Sequence, residues 1–254
     1  IRAKWVLFAC HPEFNRIVLP DSRFNHDIAF VGNNYEEYPE RVEASRQTIG
    51  TLIERGYNIK VYGNEWWMRE DYPFHIDPKF YGGYLAIEDL PALCASVPII
   101  LGLHSVVSSK TMMSMRTFEV LGNGGFHLTQ WTPAIENLFK NHHHLVWTRS
   151  ADETQRIVDY YLARPEERRQ IALQGQAEVY AWHTYHHRVQ DILKVIADGN
   201  RQPIISPLAK KSPQIVVKDI AQVQVTTERL DTTKIYAPKK HNIHMLNYRK
   251  SKNQ

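Results

Sequence analysis

Arg116 and Glu119 stand three residues apart, a spacing that lets a cation and a carboxylate act on one polar ligand. They belong to Ser114-Met-Arg-Thr-Phe-Glu-Val-Leu-Gly-Asn-Gly-Gly125, which reads as a short helix entering a glycine turn. At the helical repeat, Arg116, Glu119 and Asn123 fall within about 60° of one another, and Met115, Phe118 and Leu121 point to the opposite side. Such a front could accept hydrogen bonds from hydroxyls and neutralise an anion. The same spacing also describes an ordinary surface ion pair with a glycine cap. Gly122, Gly124 and Gly125 let the backbone turn and a ligand approach closely.

Three further places could join this site. Gly32 and Asn33 follow the apolar run Asp27-Ile-Ala-Phe-Val31. A glycine at the carboxyl end of a parallel strand lets phosphate reach backbone N–H groups, though a simple turn needs the same residues. Tyr84 and Leu85 close Tyr81-Gly-Gly-Tyr84-Leu85, a ledge on which a nucleobase could stack or which could simply fill a core. His104 and Ser105 follow Val97–Leu103, where side chains emerge at a sheet's ligand edge or cap it. The histidine runs 141–144 and 183–187 lack the carboxylate and cysteine neighbours of a metal site, so no metal is expected. There is no G-x-G-x-x-G, no Walker-type lysine loop and no G-x-S-x-G elbow, so dinucleotide, P-loop and hydrolase chemistry are not indicated.

The elements that must position these residues alternate. Apolar runs at 27–31, 57–62, 97–103, 126–129 and 144–147 suit strands buried on both faces. Helices are expected over 37–55, 88–96, 114–122 and 136–140. A helical block follows, opened by the capping box Ser150-Ala-Asp-Glu153 and by Pro165, and completed by 183–197. This is the pattern of a doubly wound α/β domain over 26–198. Trp5–Cys10 reads as a strand and linker, so 1–25 are expected to be a hinge from an upstream domain. Residues 64–83 look irregular and aromatic, and 199–254 form a proline-containing basic extension.

The net charge of +4 divides unevenly: residues 1–200 carry −4 and residues 201–254 carry +8. A nucleic-acid footprint over the domain is therefore not expected, while the tail could meet an anionic partner. Cys10 and Cys94 lie among apolar neighbours and read as buried thiols, which fits a reducing cytoplasm.

The order of these pieces resembles the CgeB-like, spore-maturation glycosyltransferases. The resemblance is carried by Asp27–Asn33, Tyr84-Leu, Asp89-Leu-Pro, Leu101–His104, Ser114–Glu119, Gly122–Gly125 and His183–Arg188. That family is similar to the C-terminal, donor-binding half of two-domain GT-B glycosyltransferases. The resemblance implies a Rossmann-like doubly wound parallel sheet with a helical C-terminal block. It implies sugar transfer from a nucleoside-diphosphate sugar, without metal or cofactor, to an unidentified acceptor bound by an N-terminal domain missing here. It also implies that Glu119 takes the ribose hydroxyls, that Gly32 and the glycine turn cradle the diphosphate, and that Arg116 steadies the leaving group. Tyr84 and Leu85 would lie by the base. Many retaining relatives carry a second Glu eight residues before the ribose-binding one; this sequence has Thr111 there. Catalytic residues proper stay unassigned, and two alternatives remain: a nucleotide-sugar epimerase, and a non-catalytic binding or surface-assembly module.

Overall fold

The computed structural model describes residues 5–35 and 37–198. Six strands form one sheet: β1 Ile28–Val31, β2 Ile59–Tyr62, β3 Tyr81–Gly83, β4 Ile99–Gly102, β5 His127–Gln130 and β6 Val146–Thr148. They run in the order β3-β2-β1-β4-β5-β6 with parallel pairing throughout. Ile28 of β1 sits in register with Ile59 on one side and Ile99 on the other. All four residues of β1 and of β4 are buried, which is why both read as unbroken apolar runs.

Helices cover both faces. α1 Pro39–Ser45, a π-helical turn Arg46–Gly50 and α2 Thr51–Glu54 make one interrupted helix, ended by Gly56 at φ +78°. Ser45 and Thr48 donate back to the carbonyls of Arg41 and Ala44, which loosens the ladder where the π turn sits. Ala44, Ile49 and Leu52 pack on Ile28, Phe30, Val61 and Leu101. On the other face, α3 Leu90–Ser96 sets Leu90, Leu93 and Cys94 against Ala29, Val31 and Ile100. α4 Met115–Gly122 and α5 Pro133–Leu138 follow. The helical block is α6 Ala151–Leu162, α7 Pro165–Trp182 and α8 Tyr185–Asp198. α6 starts as expected, with Ser150 Oγ accepting from Glu153 N–H at 3.3 Å.

Two expectations are corrected. Trp5–Cys10 forms no strand; Cys10 alone pairs, in an isolated bridge with Thr184. The carbonyls of Leu7 and Phe8 are satisfied instead by Arg188 Nε, at 3.2 and 3.1 Å, so this stretch needs no ladder. The irregular stretch 64–83 ends in an edge strand, β3. Its two glycines hide any apolar alternation, and it is fixed partly by Tyr81 Oη donating to Gly63 O at 2.8 Å. The basic extension expected over 199–254 lies outside the described residues.

β1 and β2 leave the sheet in close contact. A Cβ on Gly63, whose φ is +159°, would come within 2.1 Å of Gly32 O. That same oxygen accepts from Trp67 Nε1 at 2.8 Å. Gly63→Ala should therefore force the two turns apart and lose at least about 2 kcal/mol of stability. Gly83→Ala, which also has positive φ but meets nothing within 4 Å, should cost less. Equal denaturation midpoints for the two variants would contradict this account.

Five buried histidines set the acid limit of the fold. Burial holds His26 and His127 at about 4 and His104, His144 and His183 at about 3. Each is neutral in the folded state and gains a proton on unfolding below about pH 6.5, so the unfolded chain binds more protons in that window. Stability should be full above about pH 6.5 and fall steadily towards pH 4, read as a dropping urea midpoint. A midpoint flat from pH 7 to 5 would mean that these rings already titrate in the folded state.

Candidate functional site

The strand order reverses direction between β1 and β4, and in open α/β sheets a ligand crevice lies outside the carboxyl ends of strands at that point. A cleft of about 490 Å³ opens there. Its walls are the turn at Gly32 and Asn33, the chain from Gly102 to Ser105, and the first turns of α4. Tyr84, Leu85 and Ile87 border it beyond β3. A second hollow of about 630 Å³ lies between α1 and the start of α6. Its cation, Arg149, is already covered by the Trp131 ring and lies 3.8 Å from Glu136.

The N-terminus of α4 is fixed from below. Ser114 Oγ accepts from Arg116 N–H at 3.3 Å. Ser114 N–H donates to Nδ1 of His104 at 3.1 Å. That bond leaves the His104 proton on Nε2, which donates to Thr129 Oγ1 at 3.0 Å. A fully buried neutral imidazole thus bridges the helix start to β5. The positive end of the helix dipole faces the cleft.

Arg116 and Glu119 meet as the spacing predicts, with Nη1 2.7 Å from Oε2. Burial pushes the Glu119 carboxyl up and Arg116 opposes that shift. α4 is buried more fully than a simple stripe implies, from Thr117 to Gly122, while Met115 turns to the cleft instead of the core. Asn123 is buried and does not join the front.

The other cation in the cleft is Arg41 of α1. It is 7% exposed and donates from Nη2 to Asn33 O at 3.0 Å. Its guanidinium also lies over the rings of Phe30 and Tyr35. No carboxylate pairs with it among the described residues. Burial lowers its pKa, yet a guanidinium stays protonated at neutral pH.

The structure brings Gly32, Asn33, Tyr84, Leu85, Ser105, Arg116 and Glu119 to one cleft. The N–H of Gly32 is spent on Tyr62 O at 2.9 Å, so Gly32 offers space and not a donor. His104 lies beneath the cleft and supports it. Gly122, Gly124 and Gly125 are absent from the walls. A Cβ at Gly122 would meet Asn15 and Cys10, one at Gly124 would meet Ile17, and one at Gly125 would meet Val120 and Cys94. The glycine turn is the carbonyl-bearing end of α4, packed against the N-terminal segment, and it has no anion-binding polarity. Arg41, Gly63, Gly102 and His127 also border the cleft but were not singled out from the sequence. Among the described residues no group of three or more His, Cys, Asp or Glu could hold a metal ion, and no helix is long and apolar enough to cross a membrane.

The family model described as glycosyl transferase-like matches residues 26–194, the span that holds the whole sheet. No curated protein sequence matches significantly. Among solved structures the chain is similar to Anabaena HepE in complex with UDP-glucose, at TM-score 0.55 and 12% identity over 75% of this chain and 56% of that one. It is similar to sucrose-phosphate synthase from Thermosynechococcus elongatus, at TM-score 0.55 and 11% identity over 75% and 51%. A mutant of T4 phage BGT in complex with UDP-glucose matches at TM-score 0.54 and 13% identity over 72% and 49%. The chain thus spans about half the length of the structures it matches. At these identities the likeness is one of fold, the Rossmann-like domain of GT-B proteins. With the family model matched across the sheet and both helical layers, the chain belongs to the glycosyl transferase-like family.

Proposed function

We propose that this chain is the donor-binding part of a glycosyltransferase that moves a sugar from a nucleoside-diphosphate sugar to an acceptor held elsewhere. The observation that carries this is Arg41, a buried cation without a carboxylate partner among the described residues, opening on the same cleft as the Arg116–Glu119 pair. A buried unpaired charge is costly, and an anionic ligand offsets that cost. Arg41, Arg116 and the α4 N-terminus together suit a diphosphate. Glu119 suits ribose hydroxyls, and exposed Tyr84 with Leu85 suits the base.

In the reaction the bond between the sugar's anomeric carbon and the diphosphate oxygen breaks. Negative charge grows on the departing diphosphate as the acceptor attacks. The two guanidiniums and the helix dipole stabilise that charge, so this reading needs no metal. The acceptor and its base would come from outside the described cleft. CgeB-like specificity, which rests on the sequence resemblance, and a cytoplasmic setting, which rests on the buried thiols Cys10 and Cys94, belong to the same reading. The alternative of a non-catalytic nucleotide-sugar-binding module draws on Thr111. It stands eight residues before Glu119, where many retaining relatives carry a second Glu, and it is exposed and outside the cleft walls.

Calorimetry with uridine, guanosine, thymidine, adenosine and cytidine diphosphates is the first test, and at least one should bind. Arg41→Met, which keeps the packing on Phe30, should weaken binding by about 1.5–3 kcal/mol. Its melting temperature should match or exceed that of the wild type, because an uncompensated buried charge is gone. A lower melting temperature with unchanged affinity would make Arg41 purely structural. Glu119→Gln should weaken binding by about 1–3 kcal/mol, and unchanged affinity in a folded variant would remove Glu119 from the ribose. Turnover with a panel of nucleotide-sugars then separates transferase from module.

A further inference from the structure

The floor of the cleft holds a polar group that the donor reading leaves unused. In the β4–β5 register Ile100 pairs with His127 and Gly102 with Thr129, so these residues line one face of the sheet. A Cβ on Gly102 would lie 2.5 Å from Cε1 and 2.7 Å from Nε2 of His127. Only the missing side chain at 102 lets the imidazole edge border the cleft.

The protonation of that ring follows from its neighbours. Nδ1 of His127 lies 3.1 Å from Ile100 O, and a carbonyl oxygen only accepts, so Nδ1 carries the proton. Nε2 therefore presents a lone pair. It is buried and has no hydrogen-bond partner among the described residues. Burial and the nearby charge of Arg116 hold the ring at about 4, so it is neutral at physiological pH. A buried acceptor left unpaired carries its full desolvation penalty until a donor arrives.

The chemistry of the donor is narrow. A phosphate oxygen has no proton to give, so the diphosphate cannot satisfy Nε2. Glu119 is also an acceptor on the same cleft, and one of its oxygens is bonded to Arg116. Two acceptors lining one cleft, both within the field of Arg116, suit a ligand with two neighbouring hydroxyls. We propose that His127 Nε2 accepts a hydrogen bond from one ribose hydroxyl of the donor nucleotide, sharing the cis-diol with the Glu119 carboxylate. The assignment rests on the nucleotide-sugar reading of the cleft and adds a residue that selects ribonucleotides over deoxyribonucleotides.

The test uses whichever of the uridine, guanosine, adenosine and cytidine diphosphates binds most tightly, together with its 2′-deoxy and 3′-deoxy counterparts. Tightest binding of thymidine diphosphate, which already lacks the 2′-hydroxyl, would overturn the proposal while leaving the nucleotide site intact. His127→Asn keeps an amide donor for Ile100 O and removes the acceptor at the Nε2 position, which the shorter side chain does not reach. Its affinity for the ribonucleotide should fall about tenfold, with little change for the deoxy analogue that lacks the hydroxyl in question. Equal losses with all three ligands would overturn the proposal while leaving the nucleotide site intact. So would an unchanged affinity in His127→Asn when Glu119→Gln is weakened. Failure of the wild type to bind any of the five diphosphates would overturn both readings. Should His127→Asn not fold, nitrogen NMR of the wild type decides. The Nε2 resonance should shift with the ribonucleotide and shift far less with one deoxy analogue; identical shifts with all three would reject the ribose contact.

Discussion

A buried guanidinium with no carboxylate beside it among the described residues is the constraint around which the cleft is built. Arg41 reaches in from α1, is wedged between the rings of Phe30 and Tyr35, and ties the β1 turn by its bond to Asn33 O. The π faces and the carbonyl recover part of the lost hydration, but none of them brings a negative charge. The turn it ties is crowded from the other side, where Gly63 passes so close to Gly32 O that any side chain would collide. Position and charge are thus fixed together. The sheet edge is rigid where the cation needs a partner, which is the arrangement expected of preorganised anion recognition.

The polarity of α4 decides which of its ends can serve that edge. Its N-terminus carries the positive end of the dipole, and it is anchored through Ser114 and neutral His104 to Thr129 of β5. Its C-terminus presents carbonyls, those of Glu119, Val120, Leu121 and Gly122 all taken by nearby N–H groups, so the glycines there answer to packing. Gln176 Nε2 of α7 donates to Gly122 O at 2.8 Å, and α7 itself comes so close that a Cβ on Gly175 would lie 2.2 Å from His144 O. A glycine-rich sequence at a helix end is therefore ambiguous until the direction of the chain relative to the cleft is known.

That ambiguity explains what could be read from the residues alone. The central strands were legible because both of their faces are buried, and burial on both faces writes an unbroken apolar run. Arg116 and Glu119 were legible because an i,i+3 pair is a local pattern that the helix itself enforces. β3 was not, since three residues with two glycines carry no periodicity and owe their place to Tyr81 and the neighbouring strand. Arg41 was hidden among charged residues at a helix start, where a solvated side chain looks the same. His127 was hidden by its neighbours, because Phe126-His-Leu-Thr129 has the apolar look of any strand. The significance of His127 depends on the glycine opposite it at 102, twenty-five residues earlier. Tertiary proximity made both residues functional candidates, and sequence spacing does not encode it.

The unsatisfied groups of the cleft share a thermodynamic consequence. Among the described residues no carboxylate pairs with Arg41 and no donor reaches His127 Nε2, and the Glu119 carboxyl is pushed up by burial that Arg116 only partly offsets. Each makes the empty domain less stable than an apolar replacement would. A ligand that supplies a diphosphate and a pair of hydroxyls removes several of these penalties at once, and binding to the folded state alone raises its stability by mass action. His127 lies on β5, Glu119 on α4 and Arg41 on α1, so one ligand meeting all three would draw these elements together. On the nucleotide-sugar reading, those penalties are the source of selectivity. A ligand matching only the charge, or only the hydroxyls, leaves part of the penalty in place.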